Sequence, residues 1–307
     1  MGFYSKGKKM PRGVKSGWGL AAVAALFSGV AQGYDVSEVR NGMLVPRVVH
    51  DGMGSTTAVG LVWSCPADTD GGTVYWTFFD VDSNHVTDGS FPMTQNDRYA
   101  FVWQDQAGVG LDGVEGYLVF VADSNNDGAL TGLDEVCLAG EAFHVYAGSN
   151  DVAFVPVWPL EYADFNNGTG VANLAALTRT TVQPDDGSAA AGDGEPLFLM
   201  YSIGGGDSTE IVLWSAEPIR GAYTVDIYDH EQNRKSVSMA LPNEELNVVD
   251  PSSIPGRPAN FLNGFIRFIV PLGADENGDD ENGMVSYSVI HAPAFGARQT
   301  IINPHID

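Results

Sequence analysis

Apolar and polar residues alternate in short runs along most of this chain. At 57–63, Val59, Leu61 and Trp63 fall on one face and Ala58 and Gly60 on the other, the period-two pattern of a half-buried strand. Clusters of Gly, Asn, Asp and Pro punctuate the runs, and helical spacing is confined to "NLAALTR", 173–179. The pattern predicts a first set of strands over 45–50, 57–63, 73–79, 86–93, 99–103, 117–122, 141–146 and 152–157. It predicts a second set over 197–202, 209–214, 223–228, 235–241, 246–249, 265–270, 285–290 and 297–302. Between the sets, "TTVQPDDGSAAAGDGEP", 180–196, has no apolar period and reads as a flexible linker.

The two sets also resemble each other in wording. "TAVGLVWS" at 57–64 resembles "TEIVLWS" at 209–215, and "FDVDSN" at 79–84 resembles "YDHEQN" at 228–233. "SFPMTQND" at 90–97 runs parallel to "SMALPNEE" at 238–245, and "GYLVFV" at 116–121 to "GFIRFI" at 264–269. "ADSNNDG" at 122–128 answers "ADENGDD" at 274–280. All five matches fall in the same order at offsets of 148 to 152 residues, which points to an internal duplication. Seven or eight short strands in about 110 residues is the size of an immunoglobulin-like or fibronectin-like sandwich. The expected fold class is therefore all-β, with two tandem β-sandwich modules: 34–160, then a connector and linker over 161–196, then 197–307.

Composition places this fold outside the cytoplasm. Lys6, Lys8, Lys9, Arg12 and Lys15 precede an apolar run of 13 residues, Gly19 to Ala31, and Ala31 and Gly33 stand at −3 and −1 of a cut before Tyr34. Residues 1–33 thus read as a secretory signal peptide, too short in its apolar part for the roughly 20 residues of a spanning helix. The C-terminal "TIINPHID" carries neither a sorting motif nor a closing apolar helix, so covalent wall attachment is not expected. Expected locations are the medium, the periplasm or the cell surface, with no membrane insertion after signal cleavage. Residues 34–307 hold 10 basic and 39 acidic side chains, a net charge near −29, and Lys235 is their only lysine. Phosphate contacts need clustered Lys and Arg, so nucleic acid is excluded as a partner. The same balance keeps a chain soluble and suits a saline habitat, where screening removes self-repulsion. Cys65 and Cys137 in an oxidising compartment predict a disulfide.

One stretch carries candidate chemistry. "DSNNDGALTGLDE", 123–135, presents oxygen-bearing side chains at Asp123, Asn125 and Asp127, then Gly128, the carbonyl of Ala129, apolar Leu130, Thr131 and finally Asp134. A calcium loop supplies oxygens from positions 1, 3, 5, 7, 9 and 12 and turns on a Gly at 6. The stretch resembles the calcium loop of EF-hands, and its closing Asp makes it look more like the dockerin variety. A strand rather than a helix leads into it, and no second loop lies within about 25 residues. The resemblance therefore implies binding of a calcium ion (Ca2+) and not cohesin recognition; an ion-free Asx turn is the plainer alternative. A possible second site is Asp275, Asn277 and Asp279, where Asp280 stands in place of the glycine. "DVDSNHVTD", 80–88, and "DHEQN", 229–233, repeat an alternating-oxygen pattern between two strands and read as hairpin turns.

No catalytic residues are assigned. The His-Glu pair of "DHEQNR" lacks the second His of a zinc protease, "GGGDS" at 204–208 opens no helix, and the six histidines are dispersed. The expected role is a non-catalytic, calcium-stabilised structural or adhesive surface component. Its partner would be itself or another surface protein, or a glycan. A soluble carbohydrate- or protein-binding module is the alternative, and a polysaccharide-active enzyme the third.

Overall fold

A computed structural model describes residues 39–65, 71–108, 110–124, 126, 137–163, 182–184, 190–272 and 283–306. The first strands are β1 (Gly42–Val48), β2 (Thr56–Trp63), β3 (Gly72–Asp80), β4 (His85–Met93) and β5 (Arg98–Val102), followed by the short helix α1 (Trp103–Ala107). Then come β6 (Gly116–Asp123), β7 (Leu138–Tyr146), β8 (Asp151–Val155), β9 (Trp158–Ala163) and β10 (Val182–Pro184). The rest are β11 (Pro196–Ser202), β12 (Ser208–Ser215), β13 (Gly221–Asp229), β14 (Arg234–Leu241), β15 (Leu246–Val249), β16 (Asn263–Ile269), β17 (Met284–Ala292) and β18 (Ala297–Ile302). Every strand expected from the alternation is present, with ends moved by a few residues. Helix α1, β9 and β10 are additions, and the helix expected at 173–179 lies outside the described residues.

The strands form four antiparallel sheets, so the chain is nearly all β. Their orders are β10-β9-β1-β6-β3-β4, β5-β2-β7-β8, β11-β16-β13-β14 and β15-β12-β17-β18. Without β9 and β10, the first two sheets have the same order as the last two, each strand moved ten places along the chain. Local detail recurs with the order. Asp80 Oδ1 accepts from the N–H groups of Asp82 and Asn84, both at 2.9 Å, and Asp229 Oδ1 accepts from Glu231 and Asn233 at 2.9 and 2.8 Å. The positive φ of these turns falls on Ser83 and Gln232, one residue before the Asn that the sequence favours for it. These side-chain oxygens are occupied by the turns' own backbone, as an Asx-type turn requires. Glycine is needed at Gly116 and Gly264 for the same reason in each half. An added Cβ would lie 2.0 Å from the carbonyl oxygen of Phe79 in one and of Tyr228 in the other.

Two hydrophobic cores follow. The first packs Trp76 and Phe78 of β3 and Phe120 of β6 against Phe101 and Trp103, with ring centroids 4.4 to 6.2 Å apart. The second gathers Leu197, Leu199, Ile211, Leu213, Ile227 and Phe268. It also holds a polar chain in which Asn303 bonds Ser286 and Ser288 and accepts from the Met200 N–H, so each buried group has a partner. The first core does not stop at its own sheets. It continues into Val212, Trp214, Leu246, Val285, Tyr287 and Val289, on the outer face of the β15-β12-β17-β18 sheet.

Part of the connector is built into the fold. Where composition points to a flexible linker, β10 pairs with β9, and Ala190 and Ala191 are fully buried, with Ala191 exchanging backbone hydrogen bonds with Met284.

Candidate functional site

The acidic stretch begins where β6 ends. Asp123 is the last strand residue, opposite Thr73 of β3, and is 1% exposed; Ser124 is also buried. The chain then turns through Asn126 at φ 54°, whose amide donates to the Gly71 carbonyl and whose side-chain oxygen accepts from Thr73 Oγ1. Those bonds tie the start of the loop to the entry of β3. Asn125, Asp127, Ala129, Thr131 and Asp134, and Asp275, Asn277 and Asp279 of the second candidate, lie outside the described residues. The donor set is all oxygen with a buried carboxylate at position 1, which fits a hard cation such as calcium. Cys65 and Cys137 form the expected disulfide, and the Ser64 N–H donates to the Cys137 carbonyl beside it. The bond joins the exit of β2 to the entry of β7, and so closes the base of the loop.

The second feature is the seam between the halves, where the structure adds what the alternation does not specify. Tyr117 meets Trp214 edge-on with centroids 5.6 Å apart, and Trp158 meets Tyr287 at 6.2 Å. The Val81 carbonyl accepts from the N–H groups of Glu245 and Leu246, so the β3–β4 turn bonds to the start of β15. Asp82 accepts from the Glu244 N–H and from Arg220. At the other side Arg298 bonds Asp151 at 2.7 Å and lies 3.8 Å over the Tyr146 ring.

Arg47 sits between the halves and pairs with Glu115 of the first and Glu210 of the second. Burial opposes its charge, but the two carboxylates outweigh burial and hold the guanidinium above its ordinary pKa. Burial first, and then the Arg47 charge, push the adjacent His144 down to about 3, so its ring is neutral at pH 7. Its Nε2–H donates to the Arg47 carbonyl at 3.1 Å. A cavity of about 100 Å³ opens here, lined by Tyr146, Ser208, Glu210, Val289, His291 and Arg298.

Glu245 is a buried carboxyl of the seam whose charge is not compensated. It is 6% exposed and its Oε2 has no hydrogen-bond partner. Burial raises its pKa to about 7, helped by Glu244, Asp82 and Asp80 and opposed by a hydrogen bond from Ser83. A carboxyl raised this way stabilises the fold fully below its ordinary pKa and loses that contribution as pH climbs through 7. Glu245→Gln is therefore expected to match the parent near pH 5 and to exceed it by about 1–2 kcal/mol at pH 8, read by urea unfolding at both pH values. A constant difference across that range would remove Glu245 from the account.

One signal for the seam was present in the sequence. Tyr117-Leu118-Val119-Phe120-Val121 and Ile211-Val212-Leu213-Trp214 are continuous apolar runs, the mark of strands covered on both faces. Arg47, Glu210 and His144 carried none, because their meeting depends on how the sheets pack.

Comparison with family models finds no match, and neither does comparison with curated proteins. Among solved structures, the chain is similar to FlgD from Xanthomonas campestris, whose crystal structure is described as giving insights into hook capping essential for flagellar assembly. The two are 18% identical over 42% of this chain and 78% of that one, with a TM-score of 0.16. So low a score carries no argument about fold or role. Among the described residues, no helix is long and apolar enough to cross a membrane.

Proposed function

We propose that this chain is an exported, calcium-stabilised structural or adhesive component of the cell exterior, made of two sandwiches of immunoglobulin or fibronectin type that arose by duplication. The observation that carries the reading is the closure of one corner. The disulfide ties the base of an acidic oxygen-rich loop whose first carboxylate, Asp123, is buried at a strand end. Such a corner braces a fold, and a disulfide suits an oxidising compartment. The equal strand orders, the paired turns at Asp80 and Asp229 and the paired glycines at 116 and 264 support duplication.

The test is thermal unfolding in EDTA and in millimolar calcium. At about fifty times Kd a bound ion adds about 2 kcal/mol, so Tm is expected to rise by a few degrees. Asp123→Ala is expected to abolish the rise. Equal melting in both buffers would withdraw calcium from the reading. Stoichiometric capture of one glycan from a panel by a monomeric protein would move the assignment to a soluble binding module.

A further inference from the structure

We propose that copies of this chain assemble head to tail. The outer face of the β5-β2-β7-β8 sheet of one copy docks on the Tyr228–Phe265 end of the β11-β16-β13-β14 sheet of the next. The inference rests on the duplication reading and follows from the seam. Within one chain, Trp214 on the outer face of the second half's β15-β12-β17-β18 sheet covers the end of the first half that carries Phe79 and Tyr117, and Tyr287 packs on Trp158 of β9, a strand with no equivalent in the β11-β16-β13-β14 sheet. Two copies of one sandwich have two docking sheets and two receiving ends. The seam uses one of each and, among the described residues, leaves the other two uncovered.

The receiving end is apolar in the place the seam predicts, and the docking sheet is so in part: in strand register Val62 and Phe143 stand where Trp214 and Val289 stand, while Glu141 and Arg98 stand where Tyr287 and Leu246 stand. At the receiving end of the second half, Tyr228 and Phe265 stack with centroids 4.7 Å apart at 15°. In the first half, Phe79 and Tyr117 stack at 5.4 Å and 23°. Phe79 and Tyr117 are fully buried under the seam, whereas Tyr228 and Phe265 are half-buried and Ile269, on the same face, is 40% exposed. On the docking sheet of the first half, Phe143 and Val152 are 38% and 48% exposed. Phe143 adjoins Gly60, Val62, Ala100 and Ala139 along a shallow groove of about 620 Å³, with Arg98 and Glu141 as its charged residues.

The contact between copies is not a full replica of the seam. Thr57 and Thr209 occupy equivalent places, each bonding the strand before it, at Val49 and Ser202. Ala58 therefore stands where Glu210 stands, and the Arg47–Glu210 pair has no counterpart. A contact without that pair, and with Arg98 and Glu141 in the docking face, is weaker than the seam and reversible. It is opposed by the negative charge of each copy, −24 over the whole chain and near −29 over residues 34–307, and favoured by salt, which shortens the screening length to about 3 Å at 1 M. A head-to-tail contact uses two different surfaces and continues into a fibre unless its rotation closes a ring.

Sedimentation of the purified protein at rising NaCl tests this. The parent is expected to shift from monomer to species larger than a dimer. Phe143→Asp and Ile269→Asp alter exposed side chains on the two surfaces, and each is expected to remain monomeric with an unchanged melting temperature. Each variant keeps the surface the other has lost, so an equimolar mixture is expected to form a one-to-one dimer and stop there. A monomeric parent in 1 M NaCl, a mixture that stays monomeric, or assembly that survives both substitutions would each overturn the proposal. Calcium-dependent melting is read separately, so the calcium brace and the assembly stand or fall independently.

Discussion

Trp214→Ala is expected to cost about 3–5 kcal/mol and to split a single unfolding transition into two. Trp214 is fully buried, packs on Tyr117 and belongs to the core cluster of the opposite half. Truncating a buried aromatic loses its transfer energy and leaves a cavity whose walls relax only in part. The position of this cavity matters as much as its size. Trp63 is equally buried, but lies within the first half. Trp63→Ala should cost a similar amount while the halves still unfold together, because the seam is intact. Calorimetry of the two variants separates a loss of stability from a loss of coupling. If Trp214→Ala lowers the midpoint by less than about 1 kcal/mol, or leaves one transition, the halves are not coupled through this residue.

Strand positions were legible in the sequence because period-two alternation is local. Each strand writes its inner face into every second residue, and Gly, Asn and Asp mark where the chain turns. The association of sheets was legible only in part. A run such as Tyr117 to Val121 states that both faces are covered, but not by what. Arg47 and Glu210 are 163 residues apart, and only packing shows that one guanidinium joins two halves. Helix α1 is five residues long, too short to show a helical period, and Trp103 within it packs as a core residue. Strand β10 spans three residues inside a polar segment, and pairing with β9 rather than its own composition specifies it. For the candidate ion site, the sequence supplies the whole donor pattern and the structure supplies its base: a buried Asp123, an Asn126 turn and the disulfide.

Reducing that disulfide, or replacing Cys65 and Cys137 by serine, is expected to destabilise the protein by about 4 kcal/mol. The bond closes a loop of 72 residues, and in the chain-entropy view a cross-link of that span removes about this much freedom from the unfolded chain. The loss has a second part in the folded state. Both cysteines are buried, 5% and 0% exposed, so serine would place hydroxyls among apolar neighbours. Cys65→Ala with Cys137→Ala isolates the cross-link, because alanine brings no polar atom. The alanine pair should recover part of the deficit of the serine pair but stay well below the parent. The calcium increment provides the sharper reading. If the bond holds the base of the loop, the alanine pair should need more calcium to reach its full increment, because part of the binding energy then goes into ordering the loop. An unchanged calcium midpoint together with the full 4 kcal/mol loss would assign the bond to general cross-linking, and leave Asp123 and its neighbours to order the loop alone.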